Sequence, residues 1–326
     1  MHLHLLHITS ILYCGDDGGI QLTNDISRSV VVWEDKNNGF ITSQFYSIAM
    51  DQSGDGDPTL LGGLQDNGNY FVNSDNSTAS WVEMIAGGDG AFTAIANGKN
   101  YYYIETQNGN VIRLELNSTG SYTSFAVVQP DHSTDYLFIN PYVLDPNNSN
   151  IMYYIAGDSL WRNSDLSGIP NWGQSPTNVN WSALSNTRTG SFITAVAASK
   201  TPANIVYYGS GNGQVFRLND ANVGNPNPSN ISNGLPSGYV SSIAIDPNNA
   251  NNALVVFSNY EIISLYYTSN GGANWTAVAG NLEENTDGSG SGPSCRWASI
   301  TNYGGSPTYF VATSAGLYST SSLNGM

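Results

Sequence analysis

Residues 205–220 read IVYYGSGNGQVFRLND, and residues 151–165 read IMYYIAGDSLWRNSD. Each stretch contains two short apolar runs around a polar or Gly-containing turn, and each ends in a Ser-Asp or Asn-Asp step. Such a pattern is typical of a β-hairpin. Close copies are ILYCGDDGGIQLTND at 11–25 and LLGGLQDNGNYFVNSD at 60–75. Looser copies lie at 101–116, 253–270 and 308–321. The chain therefore repeats one hairpin seven times.

The spacing of these copies predicts the architecture. Their last residues are 41 to 55 positions apart, and a period of about 40–50 residues is typical of four-stranded propeller blades. We expect an all-β fold, a seven-bladed β-propeller in a single domain over 1–326, with the strands of each blade lettered A to D. The approximate blade ranges are 1–36, 37–87, 88–130, 131–185, 186–235, 236–282 and 283–326. Blade 7 stops after its strand C, which predicts an incomplete last blade and a piece of a longer protein.

Composition excludes several functional classes. The chain has 9 Lys and Arg against 25 Asp and Glu, a net charge of −16, so nucleic acid and anionic membrane surfaces are not expected partners. No apolar run is long enough for a bilayer span, and the first residues lack a signal peptide's pattern. We expect a monomer without membrane insertion. Cys14 and Cys295 belong to strands that are not adjacent in the predicted propeller, so both are expected to be free thiols.

The turns between strands C and D resemble a known motif. Residues 268–275, TSNGGANW, resemble the Asp-box, Ser-x-Asp-x-Gly-x-x-Trp. Partial copies of the start of this motif, each ending in Asp, lie at 23–25, 73–75, 163–165 and 218–220. The order of GDDGG (15–19), NNGFITSQFY (37–46), GGLQDNG (62–68) and GGDG (87–90) is similar to that in secreted bacterial sortilin-like propellers. The resemblance implies an Asp-box (BNR) propeller, sortilin-like or similar to glycoside hydrolase family 74, that is secreted or displayed on a cell surface. Asp-box aspartates bind their own turns, so a folding role is assigned to Asp25, Asp75, Asp165 and Asp220.

Strand order determines which turns share a face of a propeller. The B–C turns and the D-to-A crossovers lie on one side, which we call the crossover face, and propeller sites usually open there. Crossover segments are expected at 87–90, 129–136, 186–190 and 284–296. The candidate catalytic residues on this face are Asp16, Asp66, Asp89 and His132. The alternative is that these Asp residues only stabilise tight turns.

Paired carboxylates are the groups that hydrolyse glycosidic bonds. The resemblance to family 74 implies that Asp16, in Asp16-Asp17-Gly18-Gly19, occupies the position of a catalytic carboxylate. That family's second catalytic Asp lies in a second propeller, which this chain lacks, so Asp89 is the candidate partner, with Asp66 behind it. The leading hypothesis is a hydrolase-like propeller with an acidic central pocket that acts on or binds glycans. A non-catalytic carbohydrate- or protein-binding propeller of a larger secreted protein is the alternative, and a Ca²⁺-dependent ester or lactone hydrolase is the third.

Calcium is the candidate cofactor. Residues 51–57, DQSGDGD, match the start of a calcium loop, in which oxygen ligands alternate before a turn-forming glycine. The predicted ligands are Asp51, Ser53, Asp55 and Asp57. An enlarged turn between strands A and B explains the same residues equally well, and Gly62 stands where an EF-hand has its last Glu. A separate ion in the central channel would be held by Asp17, Asp66 or Asp89.

Overall fold

The computed structural model describes residues 10–16, 18–39, 43–51, 56–85 and 88–323. The chain divides into two compact units, Met1–Phe45 and Tyr46–Met326, called unit 1 and unit 2 below. The described residues contain 26 strands, β1 to β26, and four short 3-10 helices. None of these helices is long and apolar enough to cross a membrane.

The strands form antiparallel sheets in chain order. Unit 1 has one sheet, with strands β1 (Leu12–Asp16), β2 (Gly19–Thr23) and β3 (Glu34–Asp35). All other strands lie in unit 2, except that Phe45, the first residue of β4, belongs to unit 1. The second sheet contains β4 (Phe45–Met50), β5 (Thr59–Leu64), β6 (Gly68–Asn73) and β7 (Val82–Ile85), and the third contains β8 (Gly90–Ile95), β9 (Tyr102–Thr106), β10 (Asn110–Leu116) and β11 (Tyr122–Val127). The fourth contains β12 (Tyr142–Asp145), β13 (Asn148–Ala156), β14 (Ser159–Asn163) and β15 (Trp181–Leu184). The last three contain β16 (Ile193–Ala198), β17 (Val206–Ser210), β18 (Val215–Leu218), β19 (Ser229–Asn230); β20 (Val240–Asp246), β21 (Asn249–Phe257), β22 (Leu265–Thr268), β23 (Thr276–Ala277); and β24 (Cys295–Tyr303), β25 (Ser306–Thr313), β26 (Gly316–Thr320). The 3-10 helices are Asn97–Lys99, Leu166–Gly168, Ser185–Thr187 and Gly280–Leu282.

Seven sheets, one within each predicted blade range, confirm the fold class as an all-β, seven-bladed β-propeller. Within the described residues, blade 7 ends with its strand C, β26, as the repeat predicts. Blade 1 shows strands B to D. The residues HLHLLHI at 2–8 predict its strand A, and they lie outside the described residues. The single domain over 1–326 stays a prediction. Both cysteines are free thiols, as predicted.

The second strands of blades 3 to 6 are buried on both faces over most of their length because a sheet packs against each side. In β17 every residue is buried, and Tyr207 pairs with Arg217 of β18 while Tyr208 pairs with Phe216. This explains why the repeated hairpins are almost continuously apolar instead of alternating. One apolar cluster fills each junction between successive blades from blade 2 to blade 7.

Tryptophans after the C–D turns connect neighbouring blades. Trp181 Nε1 donates to the Val128 carbonyl at 2.9 Å, and Trp275 Nε1 donates to the Ile231 carbonyl at 2.7 Å. Each bond joins a blade to the one before it, as expected for a buried indole that needs an acceptor. Asp165 Oδ1 accepts from the backbone N–H and the hydroxyl of Ser167 at 3.1 and 2.6 Å, which is the turn role predicted for it.

Two buried arginines make the reverse connection, to the following blade. Arg113 on β10 donates to the carbonyls of Leu166 and Ile169 in the C–D segment of blade 4. Arg162 on β14 donates to the Ala221 carbonyl in the C–D segment of blade 5 at 2.8 Å. Because each arginine satisfies buried backbone acceptors of the next blade, these side chains stabilise the blade order in unit 2.

Candidate functional site

The crossover face of unit 2 carries a cavity of about 500 Å³, which we call the crossover pocket. It lies between the B–C turn of blade 4, at 157–158, and the crossovers that lead into blades 4 and 5. The side chains and backbone that line it are His132, Ser133, Thr134, Asp135, Ala156, Gly157, Asp158, Ser159, Trp161, Arg188, Gly190, Ser191 and Phe192.

Backbone hydrogen bonds hold the three segments of the pocket together. Gly157 N–H donates to the Asp135 carbonyl at 2.8 Å, and Ile193 N–H donates to the Gly157 carbonyl at 2.9 Å. Thr189 N–H donates to the Asp158 carbonyl at 3.1 Å. Gly157 has φ 59°, and a Cβ there would lie 3.2 Å from the Cβ of Asp135, so glycine suits this turn on both counts. The pocket is therefore assembled at the end of blade 4 by backbone hydrogen bonds.

The polar lining contains charges of both signs. Asp135 Oδ2 accepts from the Thr134 hydroxyl at 3.1 Å, and Asp158 Oδ1 accepts from the Ser159 hydroxyl at 2.9 Å. Among the residues that the structure describes, neither carboxylate forms an ion pair, and neither does Arg188. These three groups are consequently available to hydrogen-bond a ligand.

Two aromatic side chains complete the lining. Trp161 is half-buried, and Phe192 is 44% exposed although it is a large apolar residue. A flat apolar surface beside carboxylates and a guanidinium suits a ligand with both apolar faces and many hydroxyl groups. A sugar ring has this chemistry.

Asp66 and Asp89, two of the predicted catalytic residues, lie together at the junction of blades 2 and 3. Asp89 is 7% exposed, and its Oδ1 accepts from the backbone N–H of Asp66 at 3.0 Å. Gly68 N–H donates to the Gly88 carbonyl at 3.0 Å beside them. Burial, and then the charges of Asp89 and Asp66, raise the pKa of Tyr46. Asp89 therefore stabilises the B–C turn of blade 2, the role that the turn alternative assigns to it.

Asp16 lies in unit 1 and is exposed. Its Oδ1 accepts from the backbone N–H of Gly18 at 2.9 Å, an Asx turn two residues long. This bond also corresponds to the turn alternative. Asp17 lies outside the described residues. The catalytic roles of Asp16, Asp66 and Asp89 stay predictions.

His132 is the predicted catalytic residue that lines the crossover pocket. Its side chain is 79% exposed, and Nε2 lies 3.3 Å from Asp131 Oδ2. Sequence reasoning missed the rest of the charged lining at Asp158 and Arg188. The position of Arg188 in a crossover of a chain with only 9 cationic residues was the signal that could have identified it.

Asp57, one of the predicted calcium ligands, lies beside a cationic side chain. Asp57 accepts from the Lys99 ammonium and, through Oδ1, from the Thr59 N–H at 2.9 Å. Lys99 and Thr59 lower the pKa of Asp57 to about 2. As placed, Asp57 does not fit a calcium ligand, because a cationic side chain already occupies its carboxylate.

Of the other predicted ligands in the loop, the structure describes only Asp51. Asp51 is buried, while Ser53 and Asp55 lie outside the described residues. In the described ranges, no three His, Cys, Asp or Glu side chains group in a way that could hold a metal ion. Calcium in the loop or the channel stays a prediction.

Comparison with known proteins extends only to the fold. No protein-family model matches the chain, and no curated protein matches it in sequence. Among solved structures, a chain of the "Crystal Structure of Mitotic Checkpoint Complex" is similar, with a TM-score of 0.59 at 11% identity. The match covers 99% of this chain and 87% of that chain. At this identity the likeness supports the propeller fold and no particular activity.

Proposed function

We propose that the protein is a carbohydrate-binding β-propeller whose ligand lies in the crossover pocket. The observation that carries this proposal is the combination, in one cavity of about 500 Å³, of Trp161 and Phe192 with three charged groups free of ion pairs in the described residues. Sugar rings place their C–H faces on aromatic rings, and their hydroxyls donate to carboxylates and accept from guanidinium groups. The volume also falls within the range of small-molecule sites.

Binding explains the geometry better than hydrolysis at the aspartates predicted from sequence. Asp16 and Asp89 each accept a hydrogen bond from a turn amide. A carboxylate that stabilises a turn is less available for proton transfer to a substrate, since catalysis requires reach to the reacting atoms. The crossover pocket contains neither residue.

Hydrolysis within the crossover pocket is the second candidate. Asp135 and Asp158 line the same cavity, and the hydrogen bond from Gly157 N–H to the Asp135 carbonyl joins their two segments. Two carboxylates in one sugar site are the minimum requirement for acid–base cleavage of a glycosidic bond.

The family proposal rests on turn geometry. Thr268 Oγ1 accepts from Gly272 N–H at 2.9 Å, and Asn270 Oδ1 accepts from Asn274 N–H at 3.0 Å, before the interblade hydrogen bond of Trp275. This geometry supports an Asp-box propeller with Asn in the Asp place. We further propose, from the resemblance alone, a sortilin-like or family 74-like protein that is secreted or displayed at a cell surface.

Titration calorimetry with soluble gluco-, xylo-, manno- and galacto-oligosaccharides tests the proposed function. We expect at least one series to bind, and we expect Phe192→Ala and Asp158→Asn each to weaken binding about tenfold, the effect of losing a stacking contact or a charged hydrogen bond. Asp89→Asn is the matched control on the same face, and its affinity should equal that of the wild type. Equal affinities in all four proteins, or no binding, would refute the proposal.

The second candidate has its own readout. Incubation of the bound oligosaccharide followed by mass spectrometry would detect new reducing ends. Release that Asp135→Asn and Asp158→Asn both abolish would assign hydrolysis to the pocket. Binding without any product over many hours would leave a non-catalytic binding protein.

A further inference from the structure

Resting on the proposed function, we propose that the crossover pocket continues across Gly211 to Tyr239 as a groove that binds a linear oligosaccharide. The groove would thus extend from the pocket between blades 4 and 5 to the start of blade 6. A single sugar would fill the pocket, and further sugar units would lie along the groove.

The two aromatic residues have equivalent positions in successive blades. Phe192 directly precedes β16, and Tyr239 directly precedes β20, so each is the last residue of a crossover. Their side chains are 44% and 38% exposed. Exposed rings at equivalent positions of neighbouring blades offer stacking surfaces for successive units of a sugar chain.

Gly211, in the B–C turn of blade 5, lies between these two positions. Its N–H donates to the Phe192 carbonyl at 2.9 Å. A Cβ at Gly211 would lie 3.7 Å from the Tyr239 ring and 3.8 Å from the hydroxyl of Ser191, which also lines the pocket. Ser191 of the pocket lining, Gly211 and Tyr239 are therefore adjacent, and they mark the path of the proposed groove.

The size of the residue at Gly211, and not its backbone conformation, matters for the groove. Gly211 does not have a left-handed φ, and a methyl group would make only ordinary contacts there. A larger side chain would occupy the space between Ser191 and Tyr239. A small residue at Gly211 thus keeps a bulky side chain out of the path of the proposed groove.

The blade 6 end of the groove is held in place. Tyr239 N–H donates to Asn259 Oδ1 at 2.5 Å, and the Tyr239 carbonyl accepts from Ser258 N–H at 3.3 Å. Both partners belong to the B–C segment of blade 6. These bonds fix the backbone of Tyr239, so less backbone freedom is lost when its ring stacks on a sugar.

The experiment compares the affinities of disaccharides and hexasaccharides of the cello, xylo and manno series by titration calorimetry. For the wild type we expect the hexasaccharide of a binding series to bind about tenfold more tightly than its disaccharide, the equivalent of one additional stacking subsite. Tyr239→Ala and Gly211→Phe should reduce this ratio to about one while the disaccharide affinity stays the same. Gly211→Ala should keep the wild-type ratio, because the methyl group fits.

Gly173→Phe is the matched control, since it also lacks a left-handed φ and its Cβ would meet only Pro170 O, at 3.5 Å. It should retain the full ratio. Equal affinities of the wild type for both lengths, or a ratio unchanged in Tyr239→Ala and Gly211→Phe, would overturn the groove. If the groove fails in this way but Asp158→Asn still weakens disaccharide binding, the proposed function is retained. No sugar binding at all would overturn both.

Discussion

Replacement of Arg113 by Met tests how the blades of unit 2 are held together. The guanidinium is 2% exposed and donates to the carbonyls of Leu166 and Ile169 and to Asn171 Oδ1. Its Cζ also lies 4.6 Å from the centre of the Tyr101 ring. Within the described residues it forms no ion pair, so backbone acceptors of blade 4 replace the water that a buried charge loses.

The expected loss follows from these contacts. Hydrogen bonds that involve a charged group contribute about 1.5–3 kcal/mol each, and Arg113 makes three. Burying methionine instead of a charge recovers part of this energy, and Met fills a similar volume. The Leu166 carbonyl also keeps a second donor, the Ile169 N–H. We therefore expect Arg113→Met to lower the free energy of unfolding by about 2–4 kcal/mol.

Urea denaturation followed by tryptophan fluorescence measures this change. Arg217→Met is the matched control at the equivalent position of blade 5, where the partly exposed guanidinium donates to the side chains of Asn219 and Asn251 and its Cζ lies 5.7 Å from the centre of the Tyr207 ring. It should lose less than about 1 kcal/mol. A loss for Arg113→Met no larger than that for Arg217→Met would show that the arginine does not join the blades.

Three further predictions concern titratable groups. Burial raises the pKa of Glu105 well above its ordinary value, so the folded state holds a proton that the unfolded state releases, and unfolding free energy should fall as pH rises above about 4.5. Glu105→Gln should abolish this part of the pH dependence in urea titrations, and parallel curves would contradict the buried acid. Lys99 pairs with Asp57, so we expect Lys99→Met to lower the melting temperature and EDTA to leave the wild type unchanged. A fall with EDTA that Ca²⁺ reverses would instead support the calcium loop. Burial raises the pKa of Cys295 to about 11, so a thiol reagent should modify only the half-buried Cys14 in the native protein and both thiols after unfolding. Two fast thiols in the native state would contradict this.

The fold was predictable because the repeat unit is local. A hairpin such as residues 205–220 has its strands, turn and final aspartate within one continuous stretch, so their order in the chain is also their order in the sheet. Trp181 belongs to the same local pattern because it follows the C–D turn of its own blade, although its indole donates to the preceding blade. The hydrogen bonds from buried arginines to the following blade were not predicted from the sequence, although Arg113 and Arg162 occupy the same position of the repeat.

The site was less predictable because it depends on which turns a side chain meets after folding. The sequence places Asp89 on the crossover face, but its partner is the amide of Asp66, 23 residues away in another blade. Likewise, Asp158 and Arg188 become neighbours only because hydrogen bonds join a B–C turn to a crossover. The spacing of residues along the chain does not predict these contacts.

A crystal structure of the protein with a bound hexasaccharide from the tightest-binding series tests the central claim most directly. We expect density for a sugar ring in the crossover pocket, stacked on Phe192 and within hydrogen-bond distance of Asp158 and Arg188. Density at Asp66 and Asp89 instead, with an empty crossover pocket, would contradict the assignment of the site.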